Sequence, residues 1–422
     1  MRYEAIVVVM ILGMLTGARA TAKDAVAPEA KEVVQAQVSV RAITQGPKSH
    51  WFGYYDKHEF DPSGRYVLGM EVDFHGRTPT PEDVIRVGYV DLERGDAWTV
   101  IGESHAWGWQ QGCMLQWLPG SDSEVIYNDR RDGTFVAVIQ DVFTGAKRII
   151  PRAIYTVSPD GKTGLSPNFA RIQDTRPGYG YKGGTDPHQD ELHPDDAGIF
   201  RVDLETGESK LVVSHAKIAA IPWDDAPEGK NWFNHLLFNT DGSRFIFLHR
   251  AYRKAFKEGH WVTRMFTANP DGTDLYCVAD HTMVSHFIWR NPRQILAWST
   301  EPERGNRFRL YDDQTGKIEV IGDGVLKVDG HCTYSPDGTW ILTDTYPGKD
   351  RMQTLMLYRP DDGKLVIVGK LFHPREHKGE WRCDLHPRWN RDGSKVCVDS
   401  LANGHRQLYL IDVSSITGAE SK

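Results

Sequence analysis

Asp61-Pro62-Ser63-Gly64, Ser158-Pro159-Asp160-Gly161, Asn239-Thr240-Asp241-Gly242, Ser335-Pro336-Asp337-Gly338 and Asn390-Arg391-Asp392-Gly393 are five copies of one turn seed. Leu118-Pro119-Gly120-Ser121 and Arg290-Asn291-Pro292-Arg293 are degenerate copies. Each lies between two apolar, aromatic-rich runs, as a hairpin turn does. A second marker falls between consecutive seeds: Glu93-Arg94-Gly95, Phe143-Thr144-Gly145, Glu205-Thr206-Gly207, Pro270-Asp271-Gly272, Gln314-Thr315-Gly316, Asp361-Asp362-Gly363 and Ile416-Thr417-Gly418. Two hairpin turns per unit require four strands. A four-stranded unit that returns every roughly 40 to 60 residues is a propeller blade. Both marker sets count seven. The expected fold is all-β: a seven-bladed β-propeller over residues 35–415, with four antiparallel strands per blade.

Residues 35–45 alternate like a strand ahead of the first blade, and the last blade has room for three strands. The N-terminal strand is therefore expected to complete the last blade and remove the open sheet edges. The 422 residues suit one closed propeller, and 13 Trp, 16 Tyr and 16 Phe suit all-β packing. A net charge of -7 gives no reason to expect nucleic acid, although a local cluster of Arg and His can still bind a polyanion.

Residues 1–20 read as a signal peptide, with Arg2 as the charge, Ala5 to Leu15 as the apolar core and Ala18-Arg19-Ala20 as the cleavage box. Residues 21–34 read as a flexible tether. No later stretch is apolar enough to span a membrane, so a periplasmic or secreted monomer is expected. The five cysteines form no Cys-x-x-Cys pair, and their odd number precludes a full disulfide set. Buried strand thiols, one disulfide and one metal thiolate all remain open. The spacing of the seeds breaks once, for a polar Gly/Pro-rich insertion from Asp174 to Asp196 that carries His188 and His193. A loop of that length is expected to cover the axial face.

The strand before four of the seeds carries His-x-x-aromatic: His235, His286, His331 and His386. A repeat places them on equivalent inner strands, so they should ring one mouth of the channel. Three roles compete here: satisfying backbone groups, binding substrate and holding a divalent metal. Asp384 lies two residues before His386 on the same strand face and could join His286, His331 and His386 as a ligand. Cys332 or Cys383 would make such a site zinc-like. A second constellation pairs Tyr155 with Arg171 across the first hairpin of the third blade. Gln110, Gln111, Asn128, His249 and Arg250 are candidates for binding a carboxylate or sulfate. Trp51, Tyr55, Lys57 and His58 could form a platform for sugar rings or simply pack.

Trp51-Phe52-Gly53-Tyr54-Tyr55-Asp56-Lys57, Arg77 to Asp83, Tyr155 with Arg171, Arg176-Pro177-Gly178-Tyr179-Gly180-Tyr181 and Gly330 to Gly338 together resemble the propeller-type ulvan lyases, over roughly residues 48–412. The resemblance implies β-elimination at a rhamnose–uronate linkage of an anionic polysaccharide. It implies Tyr155 as acid or base, Arg171 as the neutraliser of the uronate carboxylate, and a structural zinc. Ulvan lyases also use a second-blade histidine, where this chain has Gln110 and Gln111. The late-blade histidines are similar to the divalent-ion site of oligogalacturonate lyases, which implies a divalent ion there and His235 or His286 as base; the ion expected in this chain is a structural one, zinc first, with calcium or manganese as alternatives. Asp384 and His386 stand where those enzymes have two histidines, and Trp381 stands where they have glutamine. A non-catalytic TolB-like binding propeller fits the turn repeats equally well.

Overall fold

A computed structural model describes residues 25–26, 32–225, 227–254, 260–281 and 283–419. The expected signal peptide lies outside the described residues. The described residues form seven sheets in chain order, each built on four antiparallel strands. Their innermost strands are Ser49–Trp51, Gln116–Trp117, Thr156–Val157, Asn231–Phe238, Val284–Trp289, Thr333–Tyr334 and Arg388–Trp389. The ring closes as expected. The strand Val40–Ala42 pairs antiparallel with Gln407–Asp412 and supplies the fourth strand of blade 7. Within the stretch expected to be a tether, Ala25–Val26 and Glu32–Gln35 add as parallel outer strands to blades 5 and 6.

Each clear seed works the same way. Its first side chain accepts a hydrogen bond from the main-chain N–H five residues on: Tyr66 to Asp61 (2.7 Å), Thr163 to Ser158 (3.0 Å), Arg244 to Asn239 (3.1 Å), Trp340 to Ser335 (2.9 Å) and Lys395 to Asn390 (2.9 Å). Its glycine closes the turn in the left-handed region, where a Cβ is disfavoured, with φ from 73° at Gly161 to 77° at Gly242. Apolar clusters lie between neighbouring blades, so the core is a set of radial layers.

Antiparallel alternation puts both turn sets on one face of the ring. The connections between blades share the opposite face with the blade-3 insertion. That insertion leaves the second strand at Ser166, runs through the short helix α1 (Phe169–Thr175) and returns at Gly198. Its tip crosses the mouth as expected. Gly178 packs against Glu380 of the blade 6–7 connection, and the Tyr179 ring lies 6.4 Å from that of His235.

The channel is filled from blade 1. Gly53 (φ 115°) sits 2.9 Å from the Gln111 backbone, measured at an ideal Cβ position, so only glycine fits there. The bend sends Tyr54 and Tyr55 inward. The Tyr54 hydroxyl lies 2.7 Å from His235 Nε2. The Tyr55 hydroxyl donates to Phe287 O (2.9 Å) and accepts from Phe287 N (3.0 Å). Trp51 is fully buried against Trp107 and Trp109, and Lys57 is buried and paired with Asp56. Trp51, Tyr55 and Lys57 of the expected sugar platform are therefore packing and channel filling, because the bend at Gly53 turns them into the ring of blades, whereas His58 stays exposed beside Arg391 (2.9 Å).

Candidate axial metal and acid–base site

The four repeated histidines do meet. Ring centroids are 6.1 Å apart for His235 and His286, 4.1 Å for His286 and His331, and 4.3 Å for His331 and His386. All four are buried. Their aim comes from broken strand regularity. The pairing register shifts between Asn234 and Leu237 and between Val284 and Phe287, and His235 (φ 54°) and His386 (φ 41°) have left-handed backbones. A bulge re-aims a side chain at local conformational cost and is often found beside functional sites.

His331, Asp384 and His386 each present one donor atom within 4.8 Å of the others. His331 Nδ1 lies 2.9 Å from Asp344 Oδ1, which leaves Nε2 to face a ligand. Burial opposes charge on His331, but Asp344 outweighs it and pushes the imidazole up. Burial also works against the Asp384 carboxylate. Arg382, bidentate at 2.6 and 2.5 Å, overrides it and holds Asp384 below the usual carboxylate range. His286 Nδ1 sits 2.9 Å from Asp329, yet burial dominates and pushes its imidazole down. Two imidazoles and a carboxylate, one imidazole oriented by a second carboxylate, form a donor set that suits a divalent cation. His286 adjoins this set through His331. Cys332 and Cys383 are buried thiols whose ionisation burial pushes up, for Cys383 to about 12, and neither belongs to the cluster of His331, Asp384 and His386. All five cysteines are free.

Across the mouth, Gln111 Nε2 donates to the Tyr155 hydroxyl oxygen (2.7 Å). Burial, and then the nearby Asp56, push the Tyr155 phenol well up, so it keeps its proton. Burial pushes His235 well down, so its imidazole is neutral. A neutral imidazole beside a protonated phenol is a base and an acid held apart in pKa.

Several expected site residues lie elsewhere. Arg171 is buried in α1 and is not a cross-strand neighbour of Tyr155. Its guanidinium donates to the carbonyls of Asn231 (2.7 Å), Leu192 (2.6 Å), Glu191 (3.0 Å) and His188 (3.2 Å) and lies 3.5 Å from Asp186. The reason is Asn168, whose side chain caps α1 by accepting from Arg171 N (3.0 Å) and turns the segment out of the sheet. Arg171 thus pins the insertion. Gln110 bonds the Glu380 and Arg382 carbonyls, and Asn128 is taken up by Ile154 and the Tyr181 hydroxyl. His249 is buried between Asn231 and Arg264, and Arg250 is buried on the opposite face of the same strand. Asp344 and Arg382 escaped the sequence reading. Asp344 carried a signal: thirteen residues separate it from His331, and the same interval separates Asp399 from His386.

The fold and site define a class: a closed seven-bladed propeller with a buried imidazole–carboxylate cluster at one mouth. The solved structures that resemble it include an oligogalacturonate lyase from Vibrio parahaemolyticus, with 14% identity, a TM-score of 0.63, and coverage of 90% of this chain and 95% of that one. A second is an oligogalacturonate lyase in complex with manganese, with 17% identity, a TM-score of 0.63, and coverage of 90% and 94%. The tricorn protease aligns with 12% identity and a TM-score of 0.51 over 88% of this chain and 35% of that chain. No protein-family model and no curated protein matches the chain. The likeness establishes an oligogalacturonate lyase-like propeller fold.

Proposed function

We propose that this protein is a lyase that breaks a uronate-containing glycan by β-elimination, using a divalent cation held by His331, Asp384 and His386. The observation that carries the reading is the meeting of that ligand set with a neutral His235 and a protonated Tyr155 in one buried mouth. The manganese complex of the similar lyase supports a divalent cation of that kind; zinc and calcium remain alternatives for the test below. When bound, the cation would supply positive charge against the uronate carboxylate. His235, whose two ring nitrogens both lie against the Tyr54 hydroxyl (Nδ1 at 2.9 Å, Nε2 at 2.7 Å), is the group that takes the proton alpha to the carboxylate. Electrons from that C–H bond form the C=C bond as the glycosidic C–O bond breaks. Tyr155, whose oxygen already accepts from Gln111, gives its own proton to the leaving oxygen. The residues quoted for the ulvan-lyase likeness favour a rhamnose–uronate linkage. A monomer exported to the periplasm or medium for carbohydrate degradation, with no nucleic-acid partner, belongs to the same proposal.

The test follows ultraviolet absorbance from new unsaturated uronyl ends on ulvan, a rhamnose–glucuronate gum and polygalacturonate. Activity should vanish with chelator or His331→Ala, and after chelation it should return in the wild type with added manganese, zinc or calcium, whichever the site takes. Tyr155→Phe should lower kcat by about 10²- to 10⁴-fold. Activity that survives both chelation and His331→Ala would remove the cation from the mechanism. Silence on every glycan from a folded protein would leave a binding propeller.

A further inference from the structure

The cations around the mouth are almost all engaged. Arg382 is committed to Asp384, Lys57 to Asp56, Arg171 to main-chain carbonyls, and Arg406 to the carbonyls of Trp109 and Arg382. Arg176, at the tip of the insertion, differs. Its Nη1 is buried without a hydrogen-bond partner, and it has no carboxylate partner among the described residues. Its guanidinium lies 3.8 Å from the centroid of the Tyr179 ring and 5.6 Å from that of Trp261. Trp261 is 42% exposed, which is unusual for an indole in this chain. A half-buried guanidinium whose Nη1 lacks a hydrogen-bond partner, flanked by an exposed indole, is the chemistry that receives a planar anionic group on a sugar while the indole meets the sugar's apolar face.

Position relative to the axial cluster fixes which sugar this would be. Tyr179 adjoins His235 at 6.4 Å, His235 adjoins His286 at 6.1 Å, and His286 adjoins His331 at 4.1 Å. Arg176 therefore stands on the blade 3–4 side of the mouth, and the cation ligands stand on the blade 6–7 side. We infer that Arg176, Tyr179 and Trp261 form a subsite for an acidic substituent, a carboxylate or a sulfate, on a sugar neighbouring the one that reacts. The inference rests on the lyase reading for the word neighbouring, but not for the binding itself.

Isothermal titration tests it directly, with trigalacturonate, its methyl ester, and native and desulfated ulvan oligosaccharides as probes. Arg176→Ala should weaken the acidic probes by about tenfold or more and leave the methyl ester unchanged, and Arg176→Lys should recover part of the loss. Loss on trigalacturonate assigns a carboxylate, whereas loss on native but not desulfated ulvan assigns a sulfate. Trp261→Ala should weaken every probe that wild type binds. Thermal unfolding of each variant guards against misfolding, and the lysine variant keeps the test open if the alanine variant does not fold. Equal binding by wild type and Arg176→Ala, equal losses on acid and ester, or no binding by wild type would overturn the subsite. Binding that depends on Arg176 without unsaturated ends would sink the lyase reading and keep the subsite. Cleavage with kcat/KM untouched in Arg176→Ala would do the reverse.

Discussion

At the residue scale, the repeated turn shows one side chain doing the same task in every blade that keeps a clear seed. Ser335 Oγ accepts from the Trp340 N–H at 2.9 Å, and Trp340 is buried in the layer between blades 6 and 7. Ser335→Ala should therefore cost about 1 kcal/mol, read as a lower urea midpoint with an unchanged slope. This motif was legible because it is local: five residues, one acceptor and one left-handed glycine. The histidine ring was legible for a related reason, since the repeat carries each His to an equivalent place. Which histidines converge with Asp384 was not legible. It depends on register shifts at His235 and His286 and on left-handed backbone at His235 and His386, and no residue type announces those.

At the scale of elements, the blade-3 insertion shows how one cap redirects a functional reading. Ser166-Pro167-Asn168 reads as a strand running on toward Arg171, yet Asn168 caps a helix and drives Arg171 into the carbonyls of the returning chain. The signal was present in Asn168 following Pro167, and spacing from Tyr155 outweighed it. Arg171→Met leaves those carbonyls without their donor. It should open residues 176–196 to limited proteolysis while slowing turnover far less than Tyr155→Phe does. The blade-1 loop is pinned differently. Arg77 is bidentate to Asp83 (2.6 and 2.7 Å), and Trp107 and Trp109 donate to the Asp83 and Arg77 carbonyls. The Arg77 bond, working against burial, holds the Asp83 carboxyl down at about 2. A depressed acid stabilises the fold above its unfolded pKa and loses that contribution as pH falls through its folded value. The loop should loosen between about pH 4 and pH 2, with Asp83→Asn mimicking the change at neutral pH. The stability involved is a few tenths to ~1 kcal/mol because the pair is partly solvated, so tryptophan fluorescence is the sensitive readout.

At the scale of the whole molecule, the ring is held shut by two kinds of contact. Val40–Ala42 completes blade 7, and a buried ionic knot joins blade 7 to blade 1. Arg388 bonds Glu59 at 2.9 and 3.0 Å and Asp399 at 2.9 Å, while Asp399 accepts from the Phe52 and Gly53 N–H groups. Arg388→Met strands two buried carboxylates and should cost about 3–5 kcal/mol, seen as a large fall in denaturation midpoint. Exchanging Arg388, Glu59 and Asp399 together for apolar residues should cost much less than the single change. The number of blades and the strand swap at closure were readable from marker counts and a missing strand. The knot was not, because its partners lie 329 positions apart in the chain. The two tyrosines that blade 1 sends across the axis make the molecule a cup rather than a pipe. Tyr55 is tied to blade 5 by two hydrogen bonds and Tyr54 reaches His235, so a polymer cannot be threaded through. On the lyase reading proposed above, a glycan that enters the mouth must leave by the same doorway.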